Sequence, residues 1–409
     1  ANLAVAQGGT GATSFADKSV IITQDTGTDT LAVVFTRLLS KPGQFIQHTY
    51  KIAGSGFLVD YNAIVNGVGD DVKTTTAELT FVDNLKSFER AVKVSRQKST
   101  INYYSVEGDE FDDIGAGNED EAIEGSISWF SFKQRFFNTS IIPAKPVTNA
   151  LFESKMSDNE PKDDSPVLGK LLKAKAALAF NGAQNLNQNI KFYFGPNDYR
   201  EMKNLSKQYG IQDFDKNVYL GWSLFSYVNK WVVIPLFRFL EGYISNYGVI
   251  ILILVLVIKM LLFPIAYKSY LSMAKMKELK PEIDKLKEEA GEDQMAVQKE
   301  SMALYGKVGV NPLSGCIPPL LQMPILLALF NFFPNFIELR HESFLWANDL
   351  SSYDDLISWT GFSVPFIGNH ISLFTVLMTL STLAYTYVNN QINTAAQQGP
   401  MKMMGYLMP

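Results

Sequence analysis

Cysteine is nearly absent from this chain: Cys316 stands alone among 409 residues. That excludes an internal disulfide and any zinc site built on cysteines. Histidine is almost as scarce, and His48, His341 and His370 are too scattered for a metal-binding motif. Neither HExxH nor GxSxG occurs, and Gly8-Gly9-Thr10-Gly11 has no helix pattern after it to make a phosphate loop. No excess of positive charge exists either. The net charge is −5, which argues against nucleic acid as a partner. No catalytic residue, metal or cofactor is therefore expected. The acids are plentiful, but nothing singles out a glycosidase-type pair. An N-terminal apolar leader is lacking, and the last apolar stretch has barely begun at Met408-Pro409, so both ends read as cut.

What is present is one long apolar run. Tyr247–Tyr267 holds 21 residues and one charge, Lys259. About 20 apolar residues cross a bilayer as a helix, and this run is apolar all round. A lysine at mid-membrane costs about 2.5–3.5 kcal/mol on insertion scales. Two readings follow. Its ammonium snorkels to the nearer interface, or it lines a polar, water-accessible cavity.

The chain divides by composition. Residues 1–30 are rich in Gly, Thr and Asp and read as a flexible linker. From residue 31 to about 220, short β-type runs alternate with turn signals, which predicts an antiparallel sandwich. The runs are Leu31–Thr36, Gln44–Ile52, Gly56–Asn62, Ala77–Phe81, Ala91–Ser95 and, later, Ile190–Phe194. Nine carboxylates between Glu107 and Glu124 read as a solvated acidic loop. Ile127–Ile142, dense in aromatics, reads as a core strand in preference to a ligand face, Glu153–Pro166 as a surface loop, and Tyr199–Tyr209 as a short helix.

The second half is helical. In 221–246, the apolar residues Ile234, Leu236, Phe237, Phe239, Leu240, Tyr243 and Ile244 gather on one side, which fits a helix lying in the membrane interface. After the first span (247–267) comes a charged helical hairpin, 268–311, broken at Gly291. Met276, Leu279, Ile283 and Leu286 form a narrow 3-4-3 stripe on its first helix. Met295, Met302 and Tyr305 offer a compatible face on its second. A second span follows at 313–336, with Pro318, Pro319 and Pro324 inside it and Gln322 as its deepest polar residue. Gln322 reads as a helix–helix hydrogen bond or as a cavity group. Trp346 and Trp359, in the loop after it, read as interface anchors. A third span is expected at 371–388, where Thr375, Thr379, Thr382 and Thr386 share a face. Their hydroxyls can bond their own backbone or wet one wall of a cavity. Residues 401–409 begin a further span. The segment 268–311 carries eight lysines, against one arginine, Arg340, between the second and third spans. The hairpin is thereby placed in the cytoplasm and the N-terminal half outside.

The segments SMAKMKELKPEIDKLKEE and MALYGKVGVNPLSGCIPPLLQMPILLALF closely resemble the YidC family of membrane protein insertases. Upstream, ISWFSFKQRFFNTSIIP, FYFGPNDYREM and GWSLF resemble the end of that family's periplasmic domain. The resemblance implies a multi-domain fold: a periplasmic all-β sandwich of the mutarotase-like super-sandwich type, an interfacial amphipathic helix, and an α-helical polytopic membrane bundle with a cytoplasmic hairpin. Three of the family's five conserved spans are complete here, and its N-terminal signal-anchor helix is missing. No chemistry is catalysed. A cation on the first conserved span sits in a hydrophilic groove open to cytoplasm and lipid, and Lys259 falls at that position, where arginine is usual. Gln322 matches a groove-facing glutamine. The motif around Cys316 and Pro318 matches a helix that contacts clients, with Met323, Thr375, Thr379 and Thr382 as further contact candidates. The implied partners are nascent membrane proteins, the ribosome, the Sec translocon and lipid, and the implied location is the bacterial inner membrane. From other classes, a small-solute transporter would need inverted repeats, and none is found. A membrane-tethered sugar-binding or sugar-converting protein would need convergent carboxylates in the N-terminal domain.

Overall fold

The structure, a computed structural model, describes residues 2–4, 19–25, 29–68, 76–115, 117–158, 165–179, 185–290, 294–309, 317–355, 357–359 and 370–392. Two compact units form: Ala1–Tyr219 with Asn335–Ile337, and Leu220–Pro334 with Glu338–Pro409.

In the first unit, strands of alternating apolar and polar residues build one antiparallel sheet. In chain order they are β1 (Asn2–Ala4), β2 (Ser19–Asp25), β3 (Thr30–Leu38), β4 (Phe45–Ala53), β5 (Leu58–Asn66), β6 (Thr76–Lys86), β7 (Thr100–Ser105), β8 (Glu110–Ile114), β9 (Glu119–Lys133), β10 (Phe137–Pro143), β11 (Val147–Met156), β12 (Val167–Ala179) and β13 (Leu186–Pro196). Their order is β1-β6-β12-β11-β9-β10-β13-β5-β4-β3-β2, with β7 pairing β8 and β9 off that path. The inward faces make a sandwich core that includes Tyr61, Ala63, Phe130, Phe132, Phe152, Leu172, Ile190 and Phe192. Alternation is regular on β13, where Leu186, Gln188, Ile190 and Phe192 are buried and Asn187 and Asn189 exposed. On the outer face lies a second apolar cluster. The helix α2 (Tyr199–Tyr209) and the turn after it cover Trp129, which meets Phe214 edge-on at 5.3 Å and donates its indole N–H to the Gln212 carbonyl at 2.8 Å.

Four readings of this half need correction. Residues 19–25, taken with the linker, are strand β2, because the β-branched run Val20-Ile21-Ile22-Thr23 pairs with β3; Gly8–Gly11 lies outside the described residues. Ala91–Ser95 is not a strand. Val92–Gln97 forms the helix α1, whose i, i+3, i+4 spacing buries Val92, Ser95 and Arg96 together. The acidic stretch is exposed, but most of it is strand: β8 and the first half of β9 carry it, held by cross-strand pairing to β7 and β11. Glu153–Met156 belongs to β11 rather than to a loop; residues 159–164 of that reading lie outside the described residues. The predicted helix Tyr199–Tyr209 forms with those limits, capped by the Asp198 side chain on the Glu201 amide at 2.9 Å and ended by Gly210 at φ 66°.

One lysine sits in the core row. On β12 the buried positions are Leu168, Lys170, Leu172, Ala174, Ala176 and Leu178. The Lys170 ammonium donates to the carbonyls of Arg96 and Ser99, at 3.2 and 2.6 Å, and to that of Gly115. Three acceptors satisfy its three N–H groups. Burial first, then the nearby Arg96 guanidinium, pulls its pKa down to about 8.

The second unit is helical. It begins with α3 (Ser223–Val228), a π turn (Asn229–Val233) and α4 (Ile234–Glu241). The single interfacial helix expected over 221–246 is thus three pieces, and its apolar residues do not share one side. Val233, Phe237 and Leu240 are buried, whereas Trp231, Phe239 and Tyr243 are exposed. The split lies within α4, where Phe237 and Leu240 at i, i+3 point inward and Phe239, two residues or about 200° on from Phe237, points outward. The Asn229 amide, fully buried, fixes the turn by donating to the Leu220 and Ala328 carbonyls, both at 2.9 Å.

The helix α5 (Tyr247–Glu278) follows, then α6 (Lys280–Ala290), α7 (Gln294–Val308), α8 (Ile317–Phe332) and α9 (Leu373–Ile392). The first helix of the hairpin, read as unbroken from Lys268 to Glu289, is divided: residues 268–278 continue α5. The break comes at Leu279, because Pro281 offers no amide to the Lys277 carbonyl. Met276, Leu279 and Leu286 are half-buried and Ile283 is buried. On α7 the inward residues are Val297, Ser301, Leu304 and Tyr305; Met295 and Met302 are exposed, correcting the face assigned to that helix. Among the described residues α5 is the one helix long and apolar enough to span a bilayer, while Leu320–Asn335 and Leu373–Val388 are shorter apolar stretches. Helix α8 holds 16 residues, or about 24 Å. The start of the span read at 313–336 and all of 401–409 lie outside the described residues.

Asp354 organises the start of α9. Its carboxylate accepts from the Ser372 hydroxyl, from the Phe374 amide at 3.1 Å and from the Trp346 indole N–H at 3.0 Å. Burial alone would raise its pKa, but these bonds outweigh it and hold the carboxyl below its usual range.

Two outcomes are expected. Lys170→Met removes the ammonium donor from three buried carbonyls, of which Arg96 and Gly115 keep weaker donors in the Ser99 amide and the Ser154 hydroxyl at 3.4 and 3.3 Å, and should lower the stability of the β unit by about 2–4 kcal/mol; unchanged melting would show that the ammonium contributes nothing. Because the Asp354 pKa is depressed on folding, its contribution is present above the ordinary carboxylate range and lost as pH falls through its folded value. Hydrogen exchange at the first turn of α9 should therefore accelerate below about pH 4 in the wild type and be fast and pH-independent in this respect in Asp354→Ala.

Candidate membrane groove

The candidate site is built on α5. Asn246 caps it by accepting from the Val249 amide at 3.1 Å. Gly248, in its first turn, leaves room for Phe344, since a Cβ there would come within 2.1 Å of that ring. From Tyr247 to Tyr267 the helix carries Lys259 as its one charge. One turn later, Pro264 lies inside the helix. It has no amide to offer the Met260 carbonyl, so the backbone beside Lys259 is more polar than an unbroken helix would be.

Helix α8 supplies the partner. The Lys259 ammonium is 3.5 Å from the Gln322 amide oxygen. That distance is the outer limit of a hydrogen bond, so the contact is polar but weak. Lys259 is exposed and Gln322 half-buried. Pro318, one turn before Gln322, is buried, while Met323 turns elsewhere and is 55% exposed. Pro324 leaves the Leu320 carbonyl without its helical donor, a second polar backbone position on α8. Cys316 lies outside the described residues.

The threonines of α9 use their hydroxyls internally. Thr379 donates to the Thr375 carbonyl at 2.9 Å and Thr382 to the Met378 carbonyl at 2.8 Å. Such back-bonding makes a hydroxyl cheap in lipid and leaves its oxygen as an acceptor. Thr375, Thr379 and Thr382 are exposed, and among the described residues no hydrogen bond joins them to Lys259. Helix α9 meets α5 elsewhere, through the hydroxyls of Tyr385 and Tyr270.

A polar cluster at the head of the unit was missed by the sequence reading. Arg238 of α4 pairs with Glu241 at 2.9 Å and with Glu338, and the Tyr247 hydroxyl donates to Glu241 at 2.7 Å. These side chains are mostly buried and tie α4 to α5 and to the end of the apolar stretch that holds α8. A signal existed. Arg238 and Glu241 interrupt an apolar helix at i, i+3, and Glu338 is the first charge after a long uncharged run.

Comparison with known proteins places both units. Residues 3–238 match the family described as YidC periplasmic domain, and residues 239–409 match the family described as 60Kd inner membrane protein. A membrane protein insertase YidC of Amoebophilus asiaticus is 43% identical over 380 residues, covering 92% of this chain and 62% of the relative. One from Cytophaga hutchinsonii is 46% identical over 376 residues, covering 90% and 59%. The chain thus spans about three fifths of the length of these relatives. Among solved structures, a putative aldose 1-epimerase of Escherichia coli K12 is 7% identical over 43% of this chain and 68% of its own, with a TM-score of 0.25, too low to assign fold or activity. The two profile matches, end to end along the chain, and the identity to named insertases establish that this chain belongs to the YidC family of membrane protein insertases.

Proposed function

We propose that this chain guides nascent membrane proteins into the bacterial inner membrane through a hydrophilic groove built around Lys259. The observation that carries the reading is the Lys259–Gln322 contact between α5 and α8, at 3.5 Å, in otherwise apolar helices. A lysine whose ammonium meets an amide is better placed to receive a polar client segment than one reaching for head groups. The charge and the water it retains lower the cost of moving an acidic segment part-way across the bilayer. The client's apolar helix then slides along the second and third spans into lipid, driven by roughly 0.8 kcal/mol per buried CH₂. No nucleotide is needed.

In this reading the spans are 247–267, 313–336 and 371–388, with a further one from 401. The β unit is periplasmic, and the hairpin 268–311, with its stripe of Met276, Leu279, Ile283 and Leu286, faces the ribosome. The eight lysines of that hairpin favour the orientation. The Sec translocon is the second partner. Cys316, Pro318, Met323, Thr375, Thr379 and Thr382 serve as surfaces along which the client helix moves.

The test is Lys259→Leu beside Lys259→Arg in the full-length protein, with protease protection of an acidic-tailed client in vesicles. Arginine should keep insertion near wild type. Leucine should reduce it by about tenfold, a loss of roughly 1.4 kcal/mol of attraction. Equal insertion by Lys259→Leu and wild type would sink the electrostatic role. A parallel set of photo-crosslinkers at positions 259, 322 and 379 should capture ribosome-bound client helices; capture at none of them rejects the groove.

A further inference from the structure

The outer face of the β sheet carries a groove that the insertase reading does not use. Two adjoining cavities of about 560 and 760 Å³ share Lys51, Asp60 and Tyr209 and make one continuous cleft. Its floor is a row of cross-strand partners, Ala32, Lys51, Asp60, Lys191 and Ile142, on β3, β4, β5, β13 and β10. The cleft therefore runs across the strands. Five strands at about 4.8 Å spacing give roughly 19 Å, the length of about six extended residues.

Its chemistry is graded from end to end. Lys191 is engaged, paired with Asp60 and lying 4.6 Å from the Tyr209 ring. Lys51 is exposed and makes no ion pair among the described residues, so one cation at this end is uncommitted. In the middle the Asn62 amide donates to the side-chain oxygens of Asn187 and Asn189, both at 2.7 Å, which leaves the Asn62 oxygen as acceptor and the Asn189 N–H groups as donors. The far end is apolar, lined by Ile142, Pro143, Pro146 and Ile211. There the Ser128 hydroxyl is buried and has no hydrogen-bond partner among the described residues. A buried hydroxyl left unpaired costs about 1–3 kcal/mol, so the wall at this end holds a polar group short of a partner.

We infer that this cleft binds an extended polypeptide segment, with an acidic side chain at Lys51 and an apolar one about four residues away, between Ile142 and Ile211. A carbohydrate fits the lining less well. It would want an open aromatic face, but Trp129 is fully buried with its indole N–H spent, and Lys191 covers Tyr209. Strand addition is not the mode, because the floor strands are already paired on both sides. That the segment is a translocated stretch of a client rests on the insertase reading; that the cleft takes a peptide does not.

The full chain in nanodiscs is titrated by fluorescence anisotropy with a labelled eight-residue Ser/Thr peptide carrying one Asp and, four residues on, one Leu. Saturable binding is expected. Lys51→Glu should weaken it at least tenfold, and a peptide with Lys in place of Asp should regain that loss on the variant. Ser128→Phe, which fills the apolar end, should also weaken binding at least tenfold, with unchanged melting as the control for folding. Should Ser128→Phe melt early, the charge swap at exposed Lys51 decides alone. The inference is overturned if the peptide does not bind, if binding ignores both substitutions, or if isomaltohexaose binds in a Lys51-dependent way and the peptide does not. Lys259→Leu keeps the two readings apart. Normal insertion by that variant removes the client source while the titration still decides the cleft.

Discussion

A charge in hydrocarbon must be solvated by something, and the membrane unit depends on how Lys259 meets that demand. Its helix supplies none of the solvation from side chains, since its neighbours are Ile, Leu, Val and Met. Help comes from Gln322 across the helix pair, and backbone carbonyls at Met260 and Leu320 are released by the two prolines. Polar groups are thus concentrated at one level of two packed helices. Lysine at this position holds its charge as a compact, strongly hydrated point rather than a planar fork. Under the proposed function, such a site attracts a client's carboxylate without demanding one geometry.

The β unit solves the opposite problem. There the inward alternation of a large antiparallel sheet makes a core of aromatic and branched residues, and Lys170 sits in that core with all three N–H groups spent on carbonyls. The ammonium acts as a clasp between β12 and the backbone of residues 96–115. Beside this dry interior, the same sheet turns outward a polar row whose charges alternate and whose far end is apolar. One element serves as framework on one side and as recognition surface on the other.

Much of this was legible in the residues, and the failures have physical causes. The long apolar run declared α5, the alternation declared most strands, and Asp198 with Gly210 fixed both ends of α2. The two residues singled out for the groove, Lys259 and Gln322, do meet. Where composition was read instead of pattern, the reading failed, as in the Gly- and Thr-rich start that holds β2 and the acidic stretch that pairs as β8 and β9. Val92-Lys93-Val94-Ser95 alternates like a strand, and only tertiary burial of Val92 with Arg96 makes it helical. Pro281 marked the break after α5 in plain sight, but the continuous charged pattern over Lys268–Glu289 read as one helix across it. The Arg238–Glu241–Glu338 cluster needed partners 100 residues apart in sequence, beyond any local pattern.

The π turn at Asn229–Val233 has a consequence for how this region can change. It holds one residue more than an α turn, and the Asn229 amide locks that surplus in place against Leu220 and Ala328. Deleting a single residue there would restore regular winding and strengthen the helix locally. A turn of either kind makes one revolution, so Phe237 and Leu240 would still face the interior. The surplus residue serves the Asn229 link to Leu220 and Ala328, not the facing of the helix, and this is the place where the segment can change its length by one without turning its faces.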